Sequence, residues 1–594
     1  MKSEELRKKF LDFFAQQNHQ IVPSSSLIPS DQSVLFTTAG MQQFKEYFLG
    51  KESPYGKRVV SCQKCFRTSD IEKVGNESHL TFLEMLGNFS FGFKNPGVDT
   101  NAGPTTNTRS KKNINNTNTP YFKKEAIEWA YKFITKELGL KIDYVSVFSG
   151  DAKVPPDYES EKIWLNLGLS PDKIKKMGRE DNFWGPTGDE GPCGPTTEIY
   201  INNLEVWNLV FNEYYQDKEK KLTLLKEKGV DTGMGFERLM MVIGKKNSVY
   251  ETELFLPIIN KIKKIKNLNK IETPREIKII ADHIRAIVFL IAEEILPSNL
   301  ERGYVLRRLL RRIIRYGKIL NLPPKSLIFL VQEIIKIYKT PYPDLKSKEI
   351  NILTVIQNEE KKFEKTLEKG LKEFKKEISK MKQQKEKYLS GKRAFYFYET
   401  YGFPIEMIKE LIQENHLKIN EKEFQVAFKK HQELSRLTST GMFKGGLIDE
   451  SDQSKKYHTA THLLHQALRE ILGSHVIQKG SNITPERLRF DFFHPQKMSD
   501  QEIKKVEEIV NQKIKQGLPI ICQETTLEEA KKIGALGVFE QKYGNKVKVY
   551  LIGDFSKEIC GGPHVESTTN LGHFKILKEE SVAAGTRRIK AILE

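Results

Sequence analysis

Apolar residues recur along this chain in several rhythms, and each rhythm predicts a different architecture. At the start, Ser3, Glu4 and Glu5 precede Leu6, Phe10, Phe13 and Phe14, an acidic first turn followed by apolar residues at helical spacing. An amphipathic helix is predicted there. From Gln20 to Phe36, and again from Thr196 to Phe211, short β-branched and aromatic runs are broken by Ser, Pro and Asn, which predicts strands in a mixed α+β unit ending near Gly244. From Lys245 to about Leu447 the pattern is helical. Leu353, Ile356, Phe363, Leu367, Leu371, Phe374, Ile378 and Met381 recur at three, four or seven residues, with Lys and Glu on the other faces. A helix pair or local coiled coil is the plain reading of that stripe, and a dedicated binding element the other. After Gly445-Gly446 strand and helix patterns alternate again. The expected fold is α+β and multidomain, with units at 1–244, 245–449 and 450–594 and no internal repeat.

Residues 95–120 break the first unit. Half of the stretch is Asn or Thr, with almost nothing large and apolar to bury, so it is expected to be a disordered surface insertion between Phe93 and Tyr121.

The length of 594 residues exceeds what one core supports, in line with several domains. Lys and Arg number 96 against 77 Asp and Glu, a net charge of +19, which favours a polyanionic partner, nucleic acid first and an anionic membrane surface second. No export signal is evident, and the apolar run Ile287 to Ile291 soon meets Glu293 and Glu294, so no membrane span is expected. Five cysteines are too few for a disulfide framework and fit a reducing, cytoplasmic setting.

Three segments of the first unit carry chemistry: Cys65-Phe66-Arg67, the run from His79 to Gly92, and Asp231-Thr-Gly-Met-Gly-Phe-Glu-Arg238. In-line attack on the α-phosphate of ATP needs guanidinium forks on phosphate oxygens and Mg²⁺ to neutralise the departing pyrophosphate. Arg67 and Arg238 are the candidate forks. Gly233 and Gly235 remove side chains where a strand passes into a helix, so backbone can approach a nucleotide. Gly-x-Gly-x-x-Arg alone is a weak signal. Cys62-x-x-Cys65 has the spacing of half a zinc site, but nothing nearby completes it, so it is read as structural.

Together with Asn182-Phe-Trp-Gly-Pro-Thr-Gly-Asp-Glu-Gly-Pro-Cys-Gly-Pro195, these segments resemble the class II aminoacyl-tRNA synthetases, specifically those for alanine, and the resemblance covers essentially the whole chain. It implies an antiparallel-sheet catalytic domain, a helical tRNA-recognition domain and an α+β editing domain. The substrates it implies are ATP, alanine and tRNA(Ala). It assigns Arg67 to the α-phosphate, Arg238 to the γ-phosphate, Glu84 and Met85 to the strand beside Arg67, and Asp231, Asn208 and Trp184 to the amino acid, with Arg67, Glu84, Asp231 and Arg238 as the catalytic candidates. Asp231 is the candidate for the amino group. Trp184 also reads as a core or lid residue, and Asn208 as a backbone cap.

Between Asn299 and Lys318, Arg307, Arg308, Arg311, Arg312 and Arg315 stand at helical spacing opposite Leu306, Leu309, Leu310, Ile313 and Ile314. Five arginines in nine residues without a local acidic partner point to phosphate contact, against the plain reading of a solvated face. The resembling enzymes read a G·U pair in the acceptor stem with an Asn before Arg-Gly-Tyr and an Asp in Tyr-Asp-Thr-Tyr-Gly-Phe-Pro. This chain has Glu301 and Glu399 at those places, each able to accept from a guanine amino group, and Arg312 matches an arginine near that contact.

Tyr457-His-Thr-Ala-Thr-His-Leu-Leu-His465 puts His458 and His462 one turn apart, and Cys560-Gly-Gly-Pro-His564 follows about a hundred residues on. Two imidazoles from a helix with a thiolate and a third imidazole from a glycine-rich turn complete a tetrahedral set, for which Zn²⁺ is favoured. This region resembles the editing domain of alanyl- and threonyl-tRNA synthetases and free-standing deacylases, with Thr461, Gln478 and Ser481 at family positions. The implied task is hydrolysis of seryl- and glycyl-tRNA(Ala), which a pocket shaped for alanine rejects too weakly by binding alone. His465 is read as a core histidine. The chain stops at Glu594, where longer family members continue into an oligomerising domain, so a monomer is expected. Two rival readings remain. One is a deacylase with an inactive synthetase head; the other is a plain RNA-binding module, which leaves both sites unexplained.

Overall fold

In the computed structural model the described residues are 1–31, 33–95, 119–267, 273–440, 451–537, 546–583 and 585–594. They divide into two compact units, Met1–Lys365 and Thr366–Glu594. Most of the Asn/Thr-rich stretch lies outside the described residues. On either side of it, Phe93 and Phe122 stack with ring centroids 5.3 Å apart.

The first unit is built on a nine-stranded sheet. Its strands are β1 (Gln20–Ile21), β2 (Arg58–Phe66), β3 (Phe82–Lys94), β4 (Tyr144–Phe148), β5 (Ile174–Met177), β6 (Phe183–Trp184), β7 (Gly191–Ile201), β8 (Leu204–Gln216) and β9 (Leu222–Gly235). The order is β1-β2-β3-β9-β8-β7-β4-β5, with β6 paired to β7. Only β1–β2 and β4–β5 run parallel. The expected strand pair at 196–211 is β7 and β8, joined through Asn202 and Asn203, both at positive φ, the conformation a tight hairpin turn needs. The strands expected from Gln20 to Phe36 shrink to the two residues of β1. Pro23 and Pro29 cannot donate to a ladder, and the serines bond β2 by other means: Ser25 N–H donates to Gln63 Oε1 at 2.8 Å, and Lys64 N–H to Ser24 Oγ at 3.0 Å.

The predicted N-terminal helix is α1 (Ser3–Ala15), which buries Leu6, Phe10, Phe13 and Phe14 against the sheet. Phe10 meets Phe133 edge-on at 5.3 Å and Trp207 at 5.8 Å, contacts worth roughly 0.5–1.5 kcal/mol each beyond area burial. β9 runs directly into α2 (Phe236–Ile243). Next come α3 (Arg275–Ala292), buried almost along its length, α4 (Glu301–Ile319) and α5 (Glu349–Gln383), which bears the predicted stripe and buries Ile356, Phe363, Leu367, Phe374, Ile378 and Met381. No helix among the described residues is long and apolar enough to cross a membrane.

The second unit opens with helices crossed by a parallel pair, β10 (Tyr388–Leu389) with β11 (Lys418–Ile419), too short to leave an alternation in the sequence. Beyond residue 450 lie α6 (Asp452–Leu472) and α7 (Asp500–Lys515). They cover an antiparallel sheet ordered β12 (Gln478–Thr484), β13 (Arg487–Phe493), β18 (Thr586–Leu593), β17 (Phe574–Ala583). Leu463, Leu464, Leu468, Phe490, Phe492, Val506 and Ile589 fill the space between. A second sheet orders β14 (Ile520–Thr526), β15 (Lys546–Ile552) and β16 (Ser556–Ile559). Ser499 and Glu502 form a reciprocal cap at the start of α7, the arrangement that satisfies two orphan backbone donors.

Candidate functional site

A cavity of about 290 Å³ opens over β3, β8 and β9. Its wall brings together Arg67, Met85, Trp184, Asn208, Asp231, Gly233, Gly235 and Arg238, eight of the nine residues expected for ATP and the amino acid. Sheet register explains the grouping, since Asn208 pairs with Gly233, Val210 with Asp231, and Met85 with Gly235. Residues one apart on a strand face opposite ways. That rule corrects the ninth assignment. Met85 lines the cavity, whereas Glu84 is fully buried on the other face, accepting from Arg7 Nε at 2.9 Å and from Tyr342 Oη at 2.8 Å. Glu84 is a structural anchor for α1.

The glycines also act differently from expectation. A Cβ on Gly233 would stand 2.9 Å from Met85 Sδ, so its missing side chain makes room for Met85. Gly235 has φ −66° and caps α2, and a Cβ there would meet Arg238 only at 3.5 Å. A tighter demand falls on Gly194, where a Cβ would lie 1.8 Å from the Phe211 carbonyl oxygen.

Charged groups of both signs line the cavity. Arg238 donates to Glu205 Oε2 at 2.9 Å, and Arg67 Nε to Thr38 O at 3.2 Å. Asp231 is buried, and no cation among the described residues pairs with it. Burial alone pushes its carboxyl up to about 8, because a desolvated carboxylate without a counter-charge is unstable. Glu198, which the sequence did not single out, lines the same cavity. It accepts from Asn208 Nδ2 at 2.9 Å and from Tyr200 Oη at 2.6 Å. Burial and the neighbouring Glu205 charge push it up to about 7. Asn208 therefore serves a side-chain partner rather than a backbone cap.

On α4 the arginines have acidic partners that no local window reveals. Arg308 pairs with Glu72, and Arg307 and Arg311 both reach Glu359, at 3.5 and 2.9 Å. Arg312 and Arg315 are only 4% and 2% exposed. As the side chain stands, Arg312 is too deep for a surface phosphate, which corrects the view of one uniform phosphate-facing stripe. Glu301 starts α4 and is exposed, and Glu399 is exposed on the helix Gly391–Tyr401 of the second unit.

In the second unit α6 delivers His458 and His462, and the turn after β16 delivers Cys560 and His564. Ligand atoms of the four lie within 4.8 Å of one another. Each imidazole is oriented through Nδ1: His458 toward Pro563 O at 3.1 Å, His564 toward Thr459 Oγ1 at 3.2 Å, and His462 lies 3.1 Å from Glu558 Oε2. That leaves the Nε2 atoms converging, and His458 Nε2 is 3.4 Å from Cys560 Sγ. Burial opposes a charged Cys560, yet hydrogen bonds from His458, His462 and His564 hold its thiol down to about 3. A buried thiolate beside a buried carboxylate calls for positive charge at this point, and three imidazoles with one thiolate are a donor set able to hold a transition-metal ion.

Glu558 and Thr459 were missed by the sequence reading. Glu558 also accepts from His465 Nδ1 at 2.9 Å, so the core histidine shares the carboxylate that orients His462. Its only sequence signal is its place two residues before Cys560. Thr461, proposed from resemblance, donates to Tyr457 O at 2.8 Å within its own helix. Ser481 is buried and Gln478 half-buried on β12.

Residues 5–484 match the family of class II (A) tRNA synthetases, and residues 547–590 match the threonyl and alanyl tRNA synthetase second additional domain. An alanine–tRNA ligase of Treponema denticola is 47% identical, over 100% of this chain and 99% of that relative. One from Borrelia hermsii is 45% identical over 100% of both, and one from Petrotoga mobilis is 36% identical over 99% of this chain and 79% of the relative. The paired arginines and buried aspartate of one cavity, the four converging ligands, and full-length relatedness agree: the chain belongs to the alanine–tRNA ligase family of class II tRNA synthetases.

Proposed function

We propose that this chain activates alanine with ATP, transfers the alanyl group to tRNA(Ala), and hydrolyses seryl- and glycyl-tRNA(Ala) formed in error. The observation that carries the first step is a buried carboxylate, Asp231, in the same cavity as two arginines, Arg67 and Arg238. An amino acid brings the ammonium that Asp231 lacks, and ATP brings the phosphates. An oxygen of the alanine carboxylate attacks the α-phosphorus, the bond to the β-phosphate bridge breaks, and pyrophosphate leaves. No side-chain nucleophile is needed. Arg67 holds the α-phosphate and Arg238 the γ-phosphate, with Mg²⁺ arriving as part of the nucleotide substrate. Asn208 and Trp184 close around the methyl group. A terminal ribose hydroxyl of the tRNA then attacks the acyl carbon and AMP departs.

In this reading 1–244 performs aminoacylation, 245–449 recognises the tRNA and 450–594 edits. Arg307, Arg308 and Arg311 meet backbone phosphate, and Glu301 and Glu399 accept from bases. His458, His462, Cys560 and His564 would hold one Zn²⁺, which would supply local positive charge for the editing pocket. The chain's own part is to orient those four side chains through Thr459, Pro563 and Glu558, with Thr461, Gln478 and Ser481 on the substrate side. Five free cysteines agree with a cytoplasmic setting.

The test is ATP–pyrophosphate exchange with alanine, serine, glycine, threonine and no amino acid. Strong stimulation by alanine with weaker serine and glycine is expected. No stimulation by any of them overturns the reading and leaves deacylation as the leading activity.

A further inference from the structure

The loop joining β2 to β3, residues 67–81, supplies Arg67, Asp70, His79 and Leu80 to the cavity wall. A loop lining a nucleotide site needs holding, because a displacement of an ångström at a phosphate-binding group lowers rate steeply. Here the holding groups come from α3 and α4. Arg312 Nη1 donates to Ile71 O at 2.6 Å and lies 2.8 Å from His283 Nε2. His283 Nδ1 lies 2.8 Å from Asp282 Oδ2. Asp282 accepts from Thr81 N–H at 3.0 Å and from the Thr81 hydroxyl. Thr81 O in turn accepts the Arg67 N–H at 2.8 Å. A separate strap, the Arg308–Glu72 ion pair, joins the same loop to α4.

The chemistry of the chain is self-consistent. His283 is fully buried; burial lowers it and, although Asp282 opposes, the ring stays neutral with its pKa brought to about 4. A neutral imidazole has one donor and one acceptor. Arg312 is only a donor, so Nε2 must accept, and the ring proton sits on Nδ1, where it donates to Asp282. Both ends of the loop are thereby tied to one buried relay: Ile71 near its start, Thr81 at its end, and Arg67 through Thr81.

We propose that Arg312, His283 and Asp282 are positioning residues for Arg67, which fix the 67–81 loop so that the Arg67 guanidinium stands ready for the α-phosphate. The proposal rests on reading the cavity as the adenylate-forming site. It also gives Arg312 a task inside the protein, in place of the RNA contact that its sequence position suggests.

The test uses the full chain and three variants: Arg312→Ala, Arg312→Lys and Thr81→Val. The last removes one hydroxyl with almost no change of shape. Steady-state alanine-dependent pyrophosphate exchange, tRNA(Ala) dissociation constants and thermal melting are measured for each. Arg312→Ala should lower kcat of exchange about 10- to 100-fold, with KM for alanine unchanged and tRNA affinity altered less than about twofold. Arg312→Lys should recover part of the loss. Thr81→Val should lower kcat by about threefold or more while still melting cooperatively and only a few degrees below the parent, the effect of one lost buried hydrogen bond, and Thr81→Val combined with Arg312→Ala should be no slower than Arg312→Ala alone, because both act on one relay. The proposal is overturned if Arg312→Ala weakens tRNA binding and leaves exchange intact. It is equally overturned if Thr81→Val leaves kcat at the parent value, since loss in Arg312→Ala would then reflect damaged folding. Absence of alanine-stimulated exchange in the parent chain rejects the underlying reading instead, and is seen before any variant is made.

Discussion

On the proposed reading, Asp231 would make the binding of alanine a proton-linked event. Its carboxyl is pushed from 3.8 to about 8 by burial, without a cation to offset it. At pH 6 to 7 the empty pocket therefore holds a neutral Asp231. Binding an ammonium there requires the proton to leave, so the alanine dissociation constant should fall about tenfold for each pH unit from 6 to 7 and level off near 8, a gain of ~1.4 kcal/mol per unit. The same shift bears on stability. Between 3.8 and about 8 the folded chain binds one proton more than the unfolded chain, so stability falls as pH rises, by about 4 kcal/mol at pH 7 as an upper bound. Asp231→Asn removes that loss, and is expected to raise resistance to urea at pH 7 to 8 while abolishing alanine binding. Below pH 3.8 the substitution should have no such effect, because both states of Asp231 are then protonated. Titration calorimetry with alanine in two buffers of different ionisation heat is the decisive assay, since it counts the proton released. A pH-independent affinity with no proton release, or an Asp231→Asn protein that binds alanine as the parent does, would refute the reasoning.

Other consequences follow from single contacts. Glu558→Gln keeps the shape but weakens the orientation of His462 and His465, so metal affinity measured by competition with a chelator should drop roughly 10- to 100-fold with alanine-dependent exchange unchanged. Cys560→Ser removes the thiolate donor of the proposed metal site, and metal content by mass spectrometry should fall toward zero from the one Zn²⁺ per chain expected of the parent. Gly194→Ala places a methyl 1.8 Å from a backbone oxygen between β7 and β8, and should lower stability by more than about 4 kcal/mol. Gly178→Ala is its control: nothing lies within 4 Å of the added carbon, and melting should be unchanged. A stable Gly194→Ala protein would mean that β7 and β8 are not paired as described.

How much of the site was legible depended on how far apart its partners lie in the chain. Arg67, Asp231 and Arg238 stand out by residue type against their neighbours, and a glycine-punctuated passage from strand to helix marks where two of them sit. His458 and His462 are readable because helix geometry alone puts them on one face, and the Cys560–His564 turn carries its own spacing. Glu84 beside Met85 shows the limit. Both lie in one run, and only sheet register decides that one faces the cavity and the other faces Arg7. Glu198 becomes part of the pocket because β7 pairs with β8, opposite Asn208. The arginines of α4 look unpartnered in sequence, yet Glu72 lies 236 residues from Arg308 and Glu359 lies 48 from Arg311.

The sequence by itself determined the kinds of element, the basic character, the two sets of chemical groups and the family resemblance, since these rest on local periodicity, composition and motif spacing. Only the tertiary structure decided which groups face one another, which carboxylates are stripped of counter-charge, and which arginines are spent inside the protein. Those properties arise from burial and from contacts between residues distant in the chain, and no local pattern encodes them.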